Sequence, residues 1–186
     1  MTKTYSDSLA RFRELIKQDN RRIESPKREK ERKDLFDWFV YNCPSHDGPE
    51  KARKFSDFGV KTNYDFKKLK EQILDAISLK KDETYRYCDS GNKMEALLDE
   101  IERLYFSRRK PIIFFSRGNY GEIDSLYIRI RHSFAHDNYF KVKDYYYLWN
   151  ETGSEGRTKK LGSFMALTYS DLKSIYNVLS DFRGTA

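Results

Sequence analysis

The sequence predicts a mainly α fold, a helical bundle with one β-hairpin at residues 141–167 inserted before the last helix. Three observations predict it. Apolar residues recur at three- and four-residue spacing along most of the chain. After His136 that period gives way to aromatic and β-favouring runs around the turn-like "ETGSEGR". A helical pattern then returns, opened by Thr168 and Asp171 at capping-box spacing. The 186 residues suit a single domain over 1–186, with two helices in residues 1–42 as its N-terminal part.

Each element has its own signal. Ser6 is placed to cap a first helix carrying Leu9, Phe12, Leu15 and Ile16. Ser25 caps a second; Pro26 suits its first position, and Leu35, Phe36 and Phe39 give it an apolar side. Its charged opening, "KREKERK", reads as a solvated helix face. Pro44, Gly48 and Pro49 break both regular periods, so residues 43–52 read as a loop. A third helix carries Phe66, Leu69, Ile73, Leu74 and Ile77, and a fourth Met94, Leu97, Leu98, Ile101 and Leu104. "SRRKPIIFFSRGNYG" reads as an interruption, with Pro111, Gly118 and Gly121 stopping helix. The next helix holds Ile123, Leu126, Tyr127 and Ile130 and runs into "RIRHSFAHDNYF". Tyr145, Tyr147 and Trp149 share one face of the first hairpin strand, either to pack it onto the bundle or to stack bases; packing is the favoured reading. Leu172, Ile175 and Leu179 form the stripe of the closing helix.

Composition narrows the class. Hydrophobic residues make up 38% and charged residues 35%, yet 14 Tyr and 13 Phe exclude a disordered polyelectrolyte. Net charge is +7, and between Arg103 and Arg131 seven basic residues face two acidic ones. Such a surface favours phosphates and other anions, or is simply a solvated face. Cys43 and Cys88 lack zinc or CxxC spacing, so free thiols in a reducing compartment are expected. The opening residues lack an apolar signal core, and the run Ile112–Phe115 falls far short of the ~20 residues that span a bilayer. A cytoplasmic protein that makes no membrane contact is expected.

The candidate site lies in residues 126–140, which hold two of the three histidines, His132 and His136, beside Arg129 and Arg131. Histidines four apart share a helix face and can bind a metal, but no third ligand is specified and the arginines repel a dication. A cationic helix end complements the negative end of the helix dipole, which accounts for the residues without any activity. Asp137 and Asn138 then simply end the helix, Asn tolerating the left-handed conformation. The third reading is acid–base chemistry on a phosphate. Imidazole gives and takes protons near neutrality, with an ordinary pKa of ~6.5, and guanidinium offers a fixed fork of donors to phosphate oxygens. Together they suit metal-free RNA cleavage, in which the ribose 2′-hydroxyl attacks its own phosphorus.

Arg131, His132, Ser133–Ala135 and His136 resemble the signature of the HEPN ribonuclease superfamily: an arginine, a polar residue, a few variable residues, then histidine. The wider phrase is similar to HEPN families encoded on plasmids and in defence loci. The resemblance covers six residues, and most of the N-terminal part shows none. It implies a compact HEPN-like bundle and a homodimer whose composite cleft is built from the Arg and His segments of both copies. It also implies endoribonuclease activity without a cofactor or metal, used as a toxin or an antiviral abortive-infection effector with an antitoxin or defence-system partner. His136 is expected as the acid–base residue and Arg131 as the phosphate and transition-state contact. His132 would orient His136, touch phosphate or supply the second proton-transfer group. Arg129, Arg108, Arg109, Lys110 and Arg117 would contact or guide RNA by charge. A non-catalytic RNA-binding or dimerisation module is the rival.

Overall fold

The computed structural model describes residues 14, 26–44, 53–90, 93–94, 96–107, 111–153 and 160–184. Apart from Glu14, which is helical, the helix expected from Ser6 lies outside the described residues, as does the tip of the hairpin.

The fold is α/β, not a mainly helical bundle. Helix α1 spans Pro26–Leu35 and continues as a π-helical turn, Phe36–Tyr41. A 3₁₀ turn, Phe55–Phe58, precedes α2, Asn63–Ala76. Then come β1 Tyr85–Cys88, α3 Leu98–Ser107, β2 Ile112–Ser116 and α4 Glu122–Ala135. Strands β3 Tyr139–Val142, β4 Tyr145–Thr152 and β5 Lys160–Thr168 follow, and α5, Tyr169–Ser180, closes the chain. The five strands form one sheet in the order β1-β2-β5-β4-β3, with β1 and β2 parallel and all other neighbours antiparallel.

The expected hairpin exists as β4 and β5, but it is no insertion. It is the centre of the sheet, flanked by β2 on one side and β3 on the other. The segment read as an interrupted helix supplies β2. All five of its residues are buried, because Ile113 and Phe115 enter one core while Ile112 and Phe114 enter another. A strand covered on both faces shows a continuous apolar run and no alternation, so its period is invisible in the sequence.

The larger core lies between one sheet face and α1, α2, α4 and α5, and includes Leu35, Phe39, Leu69, Ile73, Phe134 and Ile175. The second packs Met94, Leu98 and Ile101 onto Phe114, Phe140, Tyr147, Trp149 and Phe164. Tyr145, Tyr147 and Trp149 do share a face, and it is this second core. Tyr147 and Trp149 are buried, and Tyr147 stacks on Phe140 at 4.8 Å between centroids. Packing, not base stacking, uses these rings.

Local signals hold where they are strongest. Pro26 opens α1, and Thr168 and Asp171 form a reciprocal capping box on α5, as Thr62 and Asp65 do on α2. Three buried tyrosines carry a pH consequence. Burial, assisted by Glu122 beside Tyr85 and by Glu31 beside Tyr146, raises those hydroxyls above their ordinary value of 10.0; burial raises Tyr127 likewise. The unfolded chain therefore ionises first. Their contribution to stability is complete below about pH 10 and is lost as pH climbs toward the folded-state values. In an alkaline titration, tyrosinate absorbance from these three rings is expected to rise together with loss of the circular-dichroism signal, not before it.

Candidate functional site

Helix α4 carries the candidate residues, and three sets of contacts fix its position. At its start, Glu122 accepts from the Tyr85 hydroxyl at 2.8 Å and pairs with Lys70 at 2.7 Å. At its middle, the buried Tyr127 hydroxyl donates to Ile175 O on α5 at 2.9 Å. Its last third is tied to the sheet by buried polar groups. Asn150 Nδ2 lies 2.6 Å from Arg129 O, 2.8 Å from Ser133 Oγ and 2.9 Å from Ser163 Oγ, and Ser133 Oγ lies 3.1 Å from Trp149 O. A buried polar cluster that is internally bonded resists sliding, because any shift leaves donors unmatched away from water.

The helix then ends in a Schellman turn. Asn138 N–H donates to Ser133 O at 2.8 Å, Asp137 N–H donates to Phe134 O at 3.3 Å, and Asp137 adopts the left-handed conformation at φ 52. The left-handed residue is thus Asp137 rather than Asn138. Its side chain is exposed, and its negative charge sits at the negative end of the helix. Asp137→Gly removes both penalties and is expected to stabilise the fold by about 0.5–1 kcal/mol, read as a higher thermal midpoint.

This ending presents His132 and His136 together. Their ring centroids are 5.7 Å apart with planes at 76°; His132 is half-buried and His136 exposed. Among the described residues, no group of three or more His, Cys, Asp or Glu side chains is arranged to hold a metal ion.

The arginines go elsewhere. Five residues at about 100° each place Arg131 about 140° round the helix from His136. Arg131 is half-buried on the side of Cys43, whose thiol burial pushes up while the Arg131 and Arg53 charges draw it down. Arg129 turns inward: its Nη2 donates to Ser116 O and Ser116 Oγ, both at 3.1 Å, and burial lowers its pKa. With its donors committed to the end of β2, Arg129 is a structural tie and not an open phosphate contact. Arg117 pairs with Asp89 at 2.9 Å beside the Tyr87 ring, at the far end of α4. Arg108, Arg109 and Lys110 lie outside the described residues. One chain thus brings the two histidines together, while Arg129 is committed to Ser116 and Arg131 lies toward Cys43.

Comparison with protein-family models, curated proteins and solved structures finds no match. No helix among the described residues is long and apolar enough to cross a membrane.

One charged group departs from its expected setting. Glu31, within the run that reads as a solvated face, is buried; it pairs with Lys141 of β3 and accepts from the Tyr146 hydroxyl at 3.0 Å. Nearby, Tyr169 donates to Asp34 at 2.7 Å. The signal in the sequence is the spacing of Lys27, Lys30, Glu31 and Asp34, which puts four charges on one helical stripe.

Proposed function

We propose that this chain cleaves RNA by metal-independent transesterification, with His132 and His136 as the proton-transferring pair. One imidazole takes the proton of a ribose 2′-hydroxyl. The freed oxygen attacks the adjacent phosphorus, and the bond to the 5′-oxygen breaks as the other imidazolium protonates it. The products are a 2′,3′-cyclic phosphate and a 5′-hydroxyl end. The observation that carries the reading is the imidazole pair, 5.7 Å apart on an accessible helix end whose position a buried network holds. Preorganised groups need no reordering at the moment of reaction.

Arg131 has a place in this scheme across two copies of the chain, where the guanidinium of one faces His136 of the other and steadies the phosphate. In a cell the activity would serve as a toxin or an antiviral abortive-infection effector, restrained by an antitoxin or a defence-system partner. The placement of Arg129 and Arg131 favours one rival, an RNA-binding module without catalysis. The deciding experiment incubates the purified chain with total RNA in EDTA and maps new ends. Cyclic-phosphate and 5′-hydroxyl termini support cleavage; intact RNA that is nevertheless bound supports the module.

A further inference from the structure

A cleft of about 410 Å³ opens between α1, β3 and the first residues of α5. Its lining carries both signs of charge. Lys27 and Lys30 of α1 are exposed and without an ion-pair partner among the described residues. Asp34, which already accepts from the Tyr169 hydroxyl, and the exposed Asp144 supply the carboxylates. The Glu31–Lys141 pair, nine-tenths buried, forms the floor and cancels its own charge. A simple polyanion track does not have two carboxylates among its lysines. A ligand with an anionic part and hydrogen-bond donors a few ångströms away matches both kinds of group: lysine for phosphate, carboxylate for the amino edge of a base or a ribose hydroxyl. The volume lies within the range that takes a small organic unit.

The cleft lies within a bounded distance of the histidines. Lys141 is five residues beyond His136, so their Cα atoms are at most about 18 Å apart, the reach of a few nucleotides. At the other end of α1, Phe36 packs against Phe134 and Tyr139, which flank the histidine turn, with centroids 6.1 and 6.5 Å away.

We propose that this cleft seats one nucleotide of a single-stranded RNA, a few units from the scissile linkage, with its phosphate on Lys27 and Lys30 and its base or ribose donors on Asp34 and Asp144. The inference rests on the RNA reading above and adds where the strand runs.

The test measures binding of a 2′-O-methylated hexanucleotide, which cannot be cleaved, to the full chain by fluorescence polarisation across a salt series. Lys27→Ala/Lys30→Ala is compared with Lys61→Ala/Lys67→Ala, which removes the same charge from exposed positions on and beside α2. The cleft variant is expected to weaken binding about tenfold and to lower the salt slope by about 0.7, the contribution of the one single-strand phosphate that the two lysines neutralise. The α2 variant is expected to change little. Equal effects in the two variants, or no saturable binding by the parent, overturn the proposal. Dinucleotide cleavage separates the two readings. A cleft variant that binds the hexamer poorly and still cleaves a dinucleotide at the parental rate supports both. Lysine-dependent binding by a chain that cleaves nothing supports the cleft and removes the nuclease.

Discussion

Replacing His136 with alanine is expected to slow RNA cleavage by about 10²- to 10⁴-fold, the usual contribution of a positioned acid or base. The side chain is exposed and the cap it forms uses backbone groups, so the variant should keep the parental thermal midpoint and circular-dichroism spectrum. His132→Ala is expected to cost a similar factor, because the mechanism needs a proton taken at one oxygen and another given at the next. The double variant should be little worse than either single one, since two members of one proton-transfer pair act as a unit. The parental rate should describe a bell against pH, and each single variant should lose one limb. If His132→Ala lowers the rate only slightly and leaves both limbs, the second proton-transfer group belongs to another copy of the chain. Full activity in His136→Ala would end the assignment.

Lys141→Met is expected to destabilise the fold by about 3–5 kcal/mol, which leaves the chain at or near the limit of its stability. The cost comes from the partner left behind. Lys141 and Glu31 side chains are 11% and 9% exposed, and Glu31 also accepts from the buried Tyr146. Without the ammonium, a carboxylate is stranded beside an apolar sheet face, with one hydroxyl to satisfy it. For a chain of this length the shift in thermal midpoint is on the order of 10 °C. The control is Glu31→Leu/Lys141→Met, which removes both charges and should recover most of the loss, because a buried pair adds little net stability over apolar groups of similar volume. Added salt should leave the parental contribution nearly unchanged, unlike that of the exposed Lys93–Asp89 pair. A single variant as stable as the parent would mean that water reaches Glu31 freely.

The amino-acid sequence by itself determined what depends on a few neighbouring residues. Pro26 marks the start of α1, the Thr168–Asp171 box starts α5, and the stripes of α2, α4 and α5 face the core as their spacing requires. The β4–β5 pair and the histidine pair were legible for the same reason: turn chemistry and helical pitch act over short distances. Only the tertiary structure decided the sheet. The parallel pairing of β1 with β2 joins residues separated by a whole helix, and β2, buried on both faces, leaves no periodic trace. It also decided the fate of each charge. Arg129 and Arg131 are two residues apart and look alike in the chain, yet one is tied to Ser116 and the other faces Cys43. Glu31 is buried because β3 returns Lys141 and β4 brings Tyr146 against it. Local sequence sets which side of a helix a residue is on; what waits on that side is set by segments far along the chain.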